Sequence, residues 1–192
     1  QRQDDLEVLA GHARTVDETG NFEYAVQSWL QGLRWEPGSV NGAEGFFASM
    51  AKFLGEKGGK ATVGKEVARS ISGKTEVDRY LSALLEWGQR PTEPVLAVRA
   101  VELASKMGLV EATAYIGQRA LAIALRDKKP RKDLIIKVAE SFSVVGAFVL
   151  AGAAAEQALK LDQTDGELAA FIRTLAAQAT MNRGGYDQTG QS

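Results

Sequence analysis

The chain lacks several of the residues on which common kinds of functional site depend. It contains no cysteine, which excludes disulfides and thiolate chemistry and leaves the redox compartment undetermined. His12 is the only histidine, which argues against a zinc site. The 23 basic and 24 acidic side chains nearly cancel, so no overall field attracts nucleic acid. We therefore predict no metal, no cofactor and no nucleic-acid partner.

Long hydrophobic runs are also missing. The most apolar run, residues 144–155, is well short of the ~20 residues that a membrane-spanning helix needs, so we predict no membrane insertion by this segment. The chain begins at Gln1 rather than at a methionine, from which we expect that an upstream segment was removed or left out. A cytoplasmic and an exported location therefore both stay open.

Small and aliphatic residues are abundant, and they recur with helical periodicity. Gly20 breaks one helix, and Ala25, Trp29 and Gly32 fall on one face of the next. Two of these three residues are small, so we expect another helix to approach that face closely. No stretch alternates between apolar and polar residues as a strand would. The pattern predicts an all-α fold of about ten helices, over residues 3–19, 21–35, 39–56, 62–72, 75–88, 92–107, 109–127, 132–145, 147–161 and 165–180.

Four polar residues stand where helix N-caps are expected. Asn21, Ser39, Thr75 and Thr92 each precede a helical pattern. Asp78 follows Thr75 by three residues, as in a capping box. These caps predict where the second, third, fifth and sixth helices begin.

Two windows of the chain share one pattern of spacing. Their key residues are separated by 5, 4, 3 and 5 positions, and in both windows a helix ends at the first glycine. The windows are Gly20, Ala25, Trp29, Gly32, Pro37 and Gly146, Ala151, Ala155, Ala158, Gln163. This pattern resembles the tetratricopeptide repeat, a helix–turn–helix unit of roughly 34 residues.

The resemblance implies a right-handed stack of antiparallel helix hairpins, forming one domain over residues 1–180. The clear repeats would be 6–39 and 132–165, with a degenerate middle at 40–131. The helix at 165–180 would cap the open end, and residues 181–192 would be a flexible polar tail with little structure. On this alignment the helix at 75–88 has no partner.

The resemblance also implies a function, which is non-catalytic binding of a protein or peptide by a scaffold or adaptor. In that family the ligand lies in a concave groove lined by the first helix of each pair. Transferred onto this chain, the groove residues would be Glu7, Ala10, Arg14, Asp17, Asn41, Glu44, Ala48, Asp133, Ile136, Lys137 and Glu140.

Two other functions are alternatives. The chain could be a structural module that self-associates, or one part of a longer chain that assembles at an envelope. A more remote alternative is a nucleotide hydrolase that uses Lys74 and Thr75 in ARSISGKT, residues 68–75. That stretch lacks the leading glycine of a phosphate loop and follows a helical pattern rather than a strand. A helix stop at Gly73 with a cap at Thr75 explains it better, so we predict no enzyme.

Two further features have structural explanations. His12 lies on the apolar stripe of the first helix, where we expect it to be packed and hydrogen-bonded. The basic residues Lys128, Lys129, Arg131 and Lys132 form a turn, which we interpret as solvated charge at helix ends.

Overall fold

A computed structural model describes the backbone of residues 2–18 and 20–189, and the side chains of residues 3–15 and 20–183. Within these residues the fold is all-α, with ten helices and no strand, as the sequence predicts. The helices are α1 (Arg2–Glu18), α2 (Phe22–Trp35), α3 (Val40–Glu56), α4 (Lys65–Ser70), α5 (Glu76–Gln89), α6 (Pro94–Lys106), α7 (Val110–Arg126), α8 (Lys132–Val144), α9 (Phe148–Leu161) and α10 (Gly166–Thr189).

Three helices start at a residue whose side chain caps them. Asn21, Ser39 and Thr75 each accept a hydrogen bond from a backbone N–H of the following first turn, and Thr75 forms a full capping box with Asp78. The predicted cap at Thr92 is wrong, because the N-cap of α6 is Glu93, whose side chain makes no capping bond. Pro94 occupies the first helical position, which proline favours, and this places the cap one residue later than expected.

The last helix is longer than the sequence predicts. α10 continues beyond Thr180 to Thr189, which corrects the expectation of a tail with little structure from Met181 onward. No proline occurs between residues 166 and 189, so nothing removes a backbone donor or forces the helix to stop. Residues 190–192 lie outside the described part of the chain.

Three pairs of consecutive helices are joined through a glycine with positive φ. Gly20 joins α1 to α2, Gly108 joins α6 to α7 and Gly146 joins α8 to α9, with φ of 84°, 69° and 79°. Glycine adopts this left-handed region without the penalty that a Cβ brings, and it commonly ends helices there. The two helices of each pair pack against each other. The glycines that define the repeat pattern therefore reverse the chain at equivalent points.

The middle of the chain is not a regular series of antiparallel hairpins, because α3 and α5 run in the same direction. At the start of α5, Asp78 pairs at 2.7 Å with Arg34, near the end of α2 where the chain turns into α3. At the end of α5, the ring of Trp87 packs edge-on against Phe47 of α3, with centroids 4.6 Å apart. The chain must therefore cross back between α3 and α5.

Residues 57–75, which include α4, form this crossover and lie along α2. Gly64 N–H donates to the Glu23 carboxylate at the start of α2 at 2.6 Å. Near the end of α2, Arg34 donates to the Ser70 carbonyl at 3.1 Å. The crossover lets α5 pack against α2, α3 and α6, so the helix expected to lack a partner has three.

α7 lies beside α3 and also runs in its direction. Leu109, just before α7, lies near Gly38, just before α3. Further along both helices, the Arg119 guanidinium lies 4.2 Å from the centre of the Phe47 ring. α1 also contacts α3 and packs on α2. Residues far apart in sequence thus meet around α3.

Close helix packing occurs at different glycines from those expected. A Cβ on Gly45 of α3 would overlap the Trp29 indole, and a Cβ on Gly42 would overlap Leu33. Gly32 has no heavy atom within 4 Å of where its Cβ would be, so α3 supplies the small residues that let α2 approach. No described helix is long and apolar enough to cross a membrane.

Candidate functional site

Four of the predicted groove residues line one open cleft. Arg14 of α1 and Asn41 and Glu44 of α3 surround a hollow of about 270 Å³, together with Ala48. Trp29 of α2 lies between the two helices and also lines this cleft. The polar residues are exposed, whereas Trp29 is buried to 6% exposure. We call this hollow the Trp29 cleft.

The indole of Trp29 is held in one orientation. Its Nε1–H donates to Ser49 Oγ at 3.1 Å, and this bond is buried. Gly45 faces the ring, where any larger residue would displace it. The guanidinium of Arg14 lies 5.9 Å from the ring centre, a cation–π arrangement. The floor of the cleft is therefore preformed.

The cleft is lined by charges of both signs. Among the described residues, neither Arg14 nor Glu44 takes part in an ion pair. Because both side chains are exposed, their charges stay hydrated at little cost until a partner arrives. The cleft can thus accept groups of either charge beside an aromatic surface.

A second arginine lies on the other side of α3, and sequence reasoning missed it. Arg119 of α7 is exposed, and its guanidinium stacks on Phe47, which is only 5% exposed. Among the described residues Arg119 has no carboxylate partner. No local pattern could have found this contact, because it depends on how α7 packs against α3.

The remaining predicted groove residues on α1 do not join the cleft in the same way. Glu7 is exposed but does not line it. Ala10 is partly buried and lines a smaller neighbouring hollow. The side chain of Asp17 lies outside the described residues.

The predicted groove residues of α8 lie mostly on its exposed side. Asp133, Lys137 and Glu140 are exposed along one face of α8, and Ile136 is partly buried beside them. None of them lines the Trp29 cleft. Arg131 donates to Asp133 at 2.7 Å, and this bond holds the pKa of the Asp133 carboxyl below its usual range. The Trp29 cleft therefore includes predicted groove residues of α1 and α3 but none of α8.

The basic turn before α8 has a structural role for one of its members. Lys132 Nζ donates to both Asp162 and Asp165 at 2.9 Å, which links the start of α8 to the turn before α10. The bond from Lys132, helped by Thr164, lowers the pKa of Asp162 to about 2. Lys128 and Lys129 are exposed, as expected of a solvated turn.

Residues 68–75, the remote phosphate-loop candidate, comprise the end of α4 and the turn that connects it to α5. No strand precedes them within the described chain, so the strand–loop–helix arrangement of such loops is not formed. The hydroxyl of Thr75 donates to Asp78 Oδ2 at 2.7 Å, and Arg34 donates to Asp78 Oδ1. These bonds, the one from Thr75 first, lower the pKa of Asp78 to about 2. Thr75 is thus already engaged in capping α5.

The single histidine is exposed rather than packed, which corrects the expectation for it. The ring of His12 meets Tyr24 edge-on, with centroids 5.6 Å apart. Of the predicted apolar stripe of α1, Ala13 is buried, whereas Leu6, Leu9 and Ala10 are only partly buried. Among the described residues no three His, Asp or Glu side chains are grouped so as to hold a metal ion.

Comparisons of this chain with family models, with curated proteins and with solved structures find no match. The resemblance to tetratricopeptide repeats therefore stays a prediction. The geometry around α3 is the main guide to function.

Proposed function

We propose that this chain is a non-catalytic scaffold or adaptor module that binds a protein or peptide on the surface between α1 and α3. The observation that supports this most directly is the Trp29 cleft. It combines Arg14 and Glu44, which form no ion pair among the described residues, with the Asn41 amide and a fixed aromatic ring in one open hollow. Fixed aromatic rings beside polar groups are common at the energetic centres of protein interfaces.

The shape of this surface favours an extended chain as the ligand. A smaller hollow of about 50 Å³ continues along α1 and α3 and shares Trp29 and Asn41 with the cleft. Leu6 and Ala10 line that second hollow, so the surface becomes more apolar along its length. A peptide could place successive side chains in the two hollows, while Asn41 pairs with its backbone.

The lack of cysteine allows a direct test. A cysteine introduced as Ala48→Cys lies in the cleft and can carry a benzophenone photo-crosslinker as the only thiol adduct. The matched control is Ala153→Cys, which is exposed on α9. After irradiation in lysate of the source cells, we expect defined adducts at position 48 that do not form at position 153. Mass spectrometry then identifies the crosslinked peptide.

A charge change separates specific capture from chance contact. Arg14→Glu, added to the Ala48→Cys chain, should abolish most of the adduct, because it reverses a charge that lines the cleft. Arg173→Glu makes the same change on the exposed face of α10 and should leave the adduct unchanged. Equal yields from both variants, or no adduct from either, would contradict binding in the Trp29 cleft.

A self-associating module is the second candidate, and exposed apolar residues at the other end of the chain support it. Val144 and Val149 are 68% and 60% exposed, beside an apolar cleft of about 300 Å³ between α9 and α10 that Phe148 and Ala179 line. Exposed apolar patches often mark contacts between proteins. Light scattering after size-exclusion chromatography tests this proposal. A mass that stays monomeric at high concentration, in wild type and in Val149→Lys alike, would count against it.

A further inference from the structure

The exposed face of α3 has a stacked arginine on each side. Asn41, Glu44 and Ala48 form this face, since residues three and four apart share one side of a helix. At 3.6 residues per turn, Gly45 lies toward one edge of the face and Phe47 toward the other. The Trp29 ring faces Gly45, and the guanidinium of Arg14 lies over this ring. The guanidinium of Arg119 lies over the Phe47 ring.

Each arginine is oriented so that its guanidinium can bind a planar anion. Stacking against an aromatic ring limits where the guanidinium points, while the N–H groups at its edge stay free. Among the described residues neither Arg14 nor Arg119 donates to a carboxylate. A carboxylate can bind such an edge through two parallel hydrogen bonds.

We propose that the ligand is an acidic peptide that crosses α3 and places one carboxylate on Arg14 and another on Arg119. This inference rests on the proposed peptide-binding function. Arg119 then belongs to the binding surface with Arg14, although α7 lies far from α1 in sequence. Because the two arginines lie on opposite sides of one helix, a single carboxylate does not bind both. The two carboxylates therefore belong to side chains within the peptide.

The geometry also limits the spacing of the two acidic residues. A helix with its side chains is about 10 Å across, and alternate side chains of an extended peptide are about 7 Å apart. The acidic residues should therefore lie two to four positions apart. Glu44 stands on the face between the arginines, where it repels a continuous run of negative charge. It thereby disfavours the backbone of nucleic acid relative to two separated carboxylates.

Selection from a random dodecapeptide library displayed on phage tests this inference without a known ligand. Selected peptides would be synthesised, and their Kd measured against wild type, Arg14→Gln/Arg119→Gln and a control, Arg79→Gln/Arg173→Gln. The control removes two exposed arginines from α5 and α10, so both variants have the same net charge. We expect paired acidic residues at the stated spacing, a Kd raised about tenfold or more by the first variant, and no change in the control.

A further variant should change the Kd for the acidic peptides in the opposite direction. Glu44→Gln should tighten binding of the acidic peptides, because it removes a negative charge between the arginines. Peptides that compete with crosslinking at Ala48→Cys but lack paired acidic residues would overturn the inference and leave the proposed function intact. No selectable peptide, or peptides that do not compete there, would contradict the proposed function itself. Tighter binding of short single-stranded DNA than of any selected peptide would also overturn the inference.

Discussion

Replacing Gly45 by alanine tests the closest packing contact in the Trp29 cleft. Gly45 lies inside α3, where alanine alone would favour the helix by about 1 kcal/mol. However, the new Cβ would overlap the Trp29 indole, whose N–H is bonded to Ser49. Overpacking of this kind costs about 1–3 kcal/mol, and loss of the indole hydrogen bond would cost about 1 kcal/mol more. We expect Gly45→Ala to destabilise the fold by about 1–3 kcal/mol net.

Gly152→Ala is the matched control within another helix. Gly152 lies inside α9, and no heavy atom is within 4 Å of the position its Cβ would take. The same substitution should therefore stabilise the fold here, by about 0.5–1 kcal/mol. The two variants should differ by about 2–4 kcal/mol in free energy of unfolding. For a chain of this size that difference is about 4–16 °C in Tm.

Urea unfolding followed by circular dichroism measures both variants, and tryptophan fluorescence reports on the ring. Gly45→Ala should also change the near-ultraviolet spectrum, because Trp29 must move. If Gly45→Ala is as stable as Gly152→Ala and leaves that spectrum unchanged, then the ring does not pack against Gly45. The inference that the floor of the cleft is preformed would then be wrong as well.

Three further perturbations should give defined results. The pKa of Asp78 and of Asp162 is lowered from 3.8 to about 2 in the folded state, so their stabilisation is complete above 3.8 and is lost as the pH falls toward 2. The free energy of unfolding, measured as a function of pH, should show this loss. Asp78→Asn should make the dependence of that free energy on pH shallower, and an unchanged slope would contradict the lowered pKa of Asp78. Thr113 is fully buried and its hydroxyl makes no hydrogen bond among the described residues, so Thr113→Val should stabilise the fold by about 1 kcal/mol in urea unfolding. A destabilised Thr113→Val would mean that the hydroxyl has a partner. Lys132→Met should speed hydrogen exchange in the first turns of α10, whereas Lys129→Met should not, and equal rates in the two variants would count against the Lys132 link.

The sequence predicts most helices of this fold because their ends depend on local interactions. Asn21, Ser39 and Thr75 bind backbone groups within the next three residues. Gly20 and Gly146 turn the chain where any other residue would be strained. Such features act over a few residues, so a single sequence is enough to recognise them. Thr92 and the end of α10 show that exact boundaries still depend on neighbouring residues.

Part of the candidate site also follows from sequence pattern. The resemblance to a known repeat predicts that Arg14, Asn41 and Glu44 share one surface, and the structure brings them into one cleft. The same resemblance predicts the α8 residues in that groove, and these residues do not line this cleft. The spacing within each helix determines which residues share a face, but it does not determine which helices adjoin.

The tertiary structure alone decided how the middle of the chain is arranged. The parallel course of α3 and α5 depends on the pairing of Arg34 with Asp78 and on the crossover along α2. The position of Arg119 over Phe47 depends in turn on α7 lying beside α3. These contacts join residues that are distant in sequence, and each forms only when several helices pack together. Local patterns therefore determine the helices of this protein, while long-range packing determines the surface that they form.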